Sequence, residues 1–161
     1  MKTRLILLIL LPFLLSCQHM PVGTPKTRQE QEEDILEAVF RYQFEHCPYG
    51  FVGQQTTFYL SIANFRKGIP PFPIRKRDPN DAFMNRFQSQ NPQVKKHSVI
   101  SYKDSNFINL SAGNIKWLNN AEVEVMGEYS GNPNEEALFL YHLVRAGNRW
   151  IVTIERMIGI S

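Results

Sequence analysis

Apolar and polar positions alternate most regularly in the last third of the chain, from Asn114 to Ser161, and the alternation predicts a meander of strands. Ile115 to Leu118 is an apolar run, and Asn119-Asn120 supplies a turn that tolerates positive φ. From Ala121 to Tyr129, Glu122, Glu124 and Glu128 alternate with Val123, Val125 and Tyr129, which is the pattern of a half-buried strand. A turn signal at Gly131-Asn132-Pro133-Asn134 precedes Ala137 to Arg145, apolar on both parities. Gly147-Asn148 then separates that strand from Arg149 to Ile158, in which Trp150, Val152 and Ile154 share a parity. Those three residues are expected on one face, packed against Val39, Phe40 and Phe44 of an upstream helix, because a sheet with an apolar face needs a second layer.

The helix itself starts at a capping box, Thr27 with Glu30, and places Glu32, Glu33 and Asp34 at the positive end of its dipole. Ile35, Leu36, Val39, Phe40, Phe44 and Cys47 form its apolar stripe, and Pro48 with Gly50 ends it after His46. Its carboxylates read as capping and solubility rather than as a cation site. Thr56 to Ile62 reads as a strand. Three prolines between Gly68 and Arg77 predict an extended surface loop, with Ile69, Phe72 and Ile74 beside Arg75, Lys76 and Arg77. That composition suits a contact loop for a partner or for anionic headgroups, with a plain solvated connection as the competing reading. Asp78 is expected to cap a short second helix with Pro79 in its first turn and Phe83 and Phe87 as an i, i+4 pair, ending before Asn91-Pro92. Val94 to Tyr102 and Phe107 to Ala112 are predicted strands on either side of a turn at Lys103 to Asn106. The order predicts one α+β domain.

The first residues change the picture of where the chain works. Lys2 and Arg4 precede an apolar run from Leu5 to Leu15, too short to span a bilayer, and the run ends in Leu14-Leu15-Ser16-Cys17. This junction resembles the lipobox of bacterial lipoproteins. The resemblance implies that residues 1–16 are a removed signal peptide and that Cys17 is acylated. Residues 17–26, with two prolines and a glycine, then form a tether to a membrane, and residues 27–161 form the domain. Gln18 in place of an aspartate is compatible, by the lipoprotein sorting pattern, with the outer membrane of a two-membrane envelope and a periplasm-facing domain. Loss of Lys2 and Arg4 brings the formal net charge of +3 close to neutrality, which argues against nucleic acid as a partner. With Cys17 given to lipid, the chain's two cysteines do not frame a disulfide scaffold, and Cys47 reads as core packing rather than a reactive thiol.

Several blocks resemble an uncharacterised family of small bacterial proteins, many of them lipoproteins. They are Ala38 to Glu45, Tyr59 to Ile62, Asp78-Pro79-x-Asp81-x-Phe83-x-x-Arg86-Phe87, Ile115 to Leu118 with Glu122 to Val125, and Arg149 to Val152. The architecture is also similar to the nuclear transport factor two-like and cystatin-like folds. That similarity implies a curved antiparallel sheet with a long N-terminal helix and a short second helix on one face. It carries a fold more than an activity, since such cones serve as enzymes, binding modules and scaffolds.

Chemistry is sparse. The chain has no Gly-rich phosphate loop, zinc-ligand spacing or nucleophile elbow, and His19, His46, His97 and His142 lack a second ligand at helical or turn spacing, so neither metal nor cofactor is expected. If the cone holds a pocket, its candidates are Tyr141, His142 and Glu128, with Glu45 as a second carboxylate. Parity puts Tyr141 and His142 on opposite faces, so at most one of them faces it. The expectation is a non-enzymatic envelope module that binds a protein partner; the alternatives are a small-ligand-binding cone and an isomerase-like or hydrolase-like pocket enzyme.

Overall fold

Thr27 accepts a hydrogen bond from Glu30 N and offers its own amide to the Glu30 carboxylate (2.7 Å), closing the expected capping box at the start of α1 (Arg28–His46). These bonds hold the Glu30 carboxyl below its usual range. The computed structural model describes residues 26–47, 57–66, 73–101, 107–131 and 136–160; the signal, most of the tether and Phe72 lie outside them. Ile35, Leu36, Val39, Phe40 and Phe44 are buried as the stripe predicts, with Cys47 packed at its end. The stripe also buries Gln43 completely.

Among the described residues, seven strands form one curved, open sheet: β1 (Thr57–Phe65), β2 (Pro73–Arg77), β3 (Val94–Lys96), β4 (Phe107–Asn119), β5 (Glu122–Ser130), β6 (Glu136–Ala146) and β7 (Arg149–Ile160). The order is β2-β1-β4-β5-β6-β7, with β3 also on β1. The meander β4 to β7 is antiparallel as expected. The sheet as a whole is mixed, not antiparallel, because β1 runs parallel to both β3 and β4. A parallel pair needs a long crossover. The chain from β2 through the second helix to β3 provides it.

That second helix, α2 (Asp81–Met84), continues as a 3-10 turn over Asn85–Phe87. Its cap is Asn80, whose side chain accepts from Phe83 N at 2.7 Å, rather than Asp78. Asp78 instead accepts from the amide and hydroxyl of Ser98, where Val94 to Tyr102 breaks after three strand residues into a 3-10 turn, His97–Val99. Phe83 and Phe87 do pair, with ring centroids 5.4 Å apart, and both meet Phe40 edge-on. Arg86 reaches Glu33, Asp34 and Glu37 at 3.0–3.1 Å, so the acidic face of α1 seats α2.

Pro73 to Arg77 is an edge strand instead of the expected loop. Proline at a strand's first residue and on an edge is compatible with pairing, and the register sets Arg77 opposite Ile62 and Lys76 opposite Ala63.

The main core lies between α1, α2 and one sheet face, around Phe40, Phe58, Leu60, Leu110, Val125 and Tyr141. On the opposite face Ala63, Phe65 and Leu138 form a smaller cluster with Met126 and Ile158. Trp150 and Val152 join the main core as expected. Ile154 does not: a register shift in the β6–β7 ladder around Thr153 turns it to the other face, where it is 58% exposed.

Candidate functional site

The sheet face away from α1 has a polar centre. Ser61, Ser111 and Glu128 occupy one row across β1, β4 and β5, and the two serine hydroxyls lie 2.8 Å apart. All three side chains are buried. Lys76, on the edge strand β2, donates to Glu128 Oε1 at 2.6 Å. Three strand spacings separate β2 from β5, roughly 14 Å, so both long side chains must lean across the intervening strands. Small residues there, Ser61, Ala63, Ser111 and Gly113, leave room for them. Asn109 accepts from Lys76 Nζ and Ser130 Oγ at 3.2 Å each, and its amide nitrogen donates to His97 Nδ1 at 3.0 Å and the Tyr59 carbonyl at 3.3 Å.

Burial pushes the Glu128 carboxyl above its usual range, against the opposing pull of the Lys76 charge and hydrogen bond. Its second oxygen, Oε2, is buried without a hydrogen-bond partner. A raised carboxyl next to an ammonium has the chemistry of an acid–base pair, yet its side chain is 1% exposed, and neither cleft described below is lined by it. Its evident work is to pin β2 across the sheet.

Under α1, Gln43 Nε2 points at the Tyr141 hydroxyl (3.4 Å) and at the carbonyls of Ser111 (3.4 Å) and Glu128 (3.5 Å). Gly127 makes this approach feasible, since a Cβ there would stand 2.9 Å from Gln43 Nε2 and 2.6 Å from the Tyr141 ring. Burial raises both the Tyr141 and the Tyr129 phenol well above the ordinary tyrosine value, so both stay protonated near neutrality. Tyr42 donates to Glu155 at 3.3 Å at the edge of the same region. This interior is filled with rings and carries hydrogen-bond donors.

Of the pocket candidates, only Tyr141 faces α1. Glu128 and His142 stand on the other face, where His142 Nδ1 lies 3.0 Å from Thr153 Oγ1 and Nε2 lies 3.8 Å from Glu122. Glu45 is exposed on α1. The three candidates therefore do not converge. In the expected contact loop, Arg75 and Arg77 are exposed while Lys76 turns inward. Sequence reasoning missed Gln43, and it placed Lys76 in the contact loop rather than against Glu128. Gln43 was detectable as a polar residue inside the apolar stripe, three positions after Phe40; no local signal marks Glu128 as the partner of Lys76.

Among the described residues, two open clefts lie beside α1. One, about 310 Å³, has Gln29, Glu32, Glu33, Arg77, Asn80 and Asn114 among its lining residues, over Leu36, Ile62 and Phe83. The other, about 340 Å³, is lined by Lys26, Asp34, Glu37, Ala38, Arg41, Asn148, Arg149 and Trp150. Among the described residues no cluster of three or more His, Cys, Asp or Glu is arranged to hold a metal, and no helix is long and apolar enough to cross a membrane. No protein-family model, curated protein or solved structure matches this chain.

Proposed function

We propose that this chain is a lipid-anchored protein of the bacterial cell envelope, held through Cys17 with its domain facing the periplasm, and that the domain is a non-enzymatic binding module for an envelope partner. The observation that carries the anchor is Leu14-Leu15-Ser16-Cys17 following Lys2, Arg4 and a short apolar run. Support for a non-enzymatic role comes from the interior beneath α1, where Gln43, Tyr129 and Tyr141 fill the space a reaction pocket would need. The domain is read as a cone of the nuclear transport factor two-like or cystatin-like kind, a reading supported by the long helix packed on one face of a curved sheet. The exposed Arg75 and Arg77 of β2, with Phe72 shortly before them in the sequence, are the contact candidates for that partner. A second reading, a small polar ligand, is favoured only by the open 310 Å³ cleft with its amide and charged rim.

Replacing Cys17 with Ser tests the anchor. The native chain is expected in the membrane fraction with incorporated palmitate, and the variant is expected in neither state. A variant that stays in the membrane pellet with processing unchanged overturns the proposal.

A further inference from the structure

The end of the domain where the tether enters also gathers the tips of two hairpins. Arg28, the first residue of α1, lies with its guanidinium 3.7 Å over the Trp117 ring at the tip of β4. Trp117 meets Trp150 edge-on at 5.4 Å, at the start of β7. Arg145 N donates to the Ala121 carbonyl at 2.8 Å, joining the β4–β5 turn to the end of β6, and one cleft joins Lys26 to Arg149. Tether exit and both hairpin tips are thus one continuous surface.

We infer that this surface is the face the domain presents to an anionic phospholipid bilayer. The inference rests on the proposed anchor at Cys17 and adds an orientation to it. Two observations select the bilayer as occupant. Residues 17–26 reach at most about 30 Å fully extended, so the end bearing Lys26 is the end held nearest the lipid. The hairpin ends also expose large apolar side chains, Leu118 at 42% and Ile151 at 48%, as an interfacial patch requires. Lys26 and Arg28 are paired with Asp34 and Glu32, whereas Arg145 and Arg149 form no ion pair among the described residues. Those two arginines are therefore the cations available to phosphate headgroups, and Leu118 and Ile151, near the ends of the same two hairpins, are the apolar side chains placed to enter the acyl boundary.

The chain carries its own reporters, because both of its tryptophans, Trp117 and Trp150, sit at this end. The experiment uses the lipidated chain on vesicles of phosphatidylglycerol and phosphatidylcholine that include a brominated phosphatidylcholine, with vesicle attachment followed by flotation. Quenching of tryptophan emission is expected on anionic vesicles, with less on pure phosphatidylcholine vesicles. Removing two cations costs roughly thirtyfold in surface affinity at low salt, so Arg145→Gln with Arg149→Gln should reduce the quenching while the lipid keeps the chain attached. Leu118→Gln with Ile151→Gln should reduce it at unchanged circular dichroism. A chain that floats with the vesicles yet shows no quenching, or quenching indifferent to lipid charge and to both double variants, overturns the orientation and leaves the anchor standing. A chain that does not float overturns the anchor, and the orientation with it.

Discussion

The carboxamide of Asn114 clasps both backbone groups of Phe65: its Oδ1 accepts from Phe65 N at 3.0 Å and its Nδ2 donates to Phe65 O at 2.6 Å. Asn114 has φ of +50° and sits in the bulge between Gly113 and Lys116, where the β1–β4 backbone ladder has ended. One side chain thus extends a parallel pairing that the backbone can no longer continue. Asn114→Gly keeps the left-handed backbone and loses the clasp, for an expected cost of about 1–3 kcal/mol. Asn114→Ala adds the strain of an ordinary residue at positive φ, roughly 1 kcal/mol more. Urea unfolding should rank the variants in that order; equal midpoints for all three proteins would contradict the clasp.

Close approach at two glycines sets a second ordering. A Cβ on Gly113 would lie 1.8 Å from the Ala63 carbonyl oxygen, which is backbone in the parallel pair. On Gly127 its nearest neighbours are the Tyr141 ring and the Gln43 amide, which are side chains and can yield. Gly113→Ala is therefore expected to cost more than about 3 kcal/mol and Gly127→Ala about 1–3 kcal/mol. The reverse order in denaturation midpoints would refute the β1–β4 packing.

The bulge at Thr153 makes opposite forecasts for two residues that share a sequence parity. Trp150 is buried against the core, so Trp150→Ala should cost about 3–5 kcal/mol. Ile154 is exposed, so Ile154→Thr should stay within about 0.5 kcal/mol. Comparable losses in thermal melts would mean that the strand continues without a bulge.

Glu128 gives the fold a defined pH response. Its carboxyl is raised in the folded state, so the native chain holds that proton more tightly than the unfolded chain does. The resulting stabilisation is full below the ordinary glutamate value of 4.5 and is lost as pH rises through the raised one. Glu128→Gln removes this dependence, and its stability relative to the native chain should increase from acid to neutral pH. Lys76→Met leaves the buried carboxylate without its cation and should cost about 3–5 kcal/mol at neutral pH, less in acid where Glu128 is protonated. Unfolding curves whose differences do not change with pH would count against the pair.

The chain's local grammar was legible. The Thr27 and Glu30 capping box, the α1 stripe, the Phe83 and Phe87 pair, the β5 alternation and the Gly147 turn, with φ of +61°, each depend on residues within one or two turns or a single hairpin. Periodicity and turn chemistry are properties of the sequence itself, so they determined the elements and the meander. They also placed Tyr141 and His142 on opposite faces.

What the sequence left open was decided by partners far away along the chain. The parallel β1–β4 pair follows from a crossover through β2, α2 and β3, and no local pattern in either strand distinguishes it from an antiparallel one. Ile154 leaves the core because one residue slips the β6–β7 register, which reverses the side chains from Ile154 to Met157 before a second shift between Leu138 and Phe139 restores the parity. Lys76 and Glu128 lie 52 residues apart, and only the stacking of strands across small residues brings ammonium and carboxylate together. Periodicity says which residues share a face. Tertiary pairing decides what that face meets, because contact free energy depends on groups whose separation in space has no counterpart in their separation along the chain.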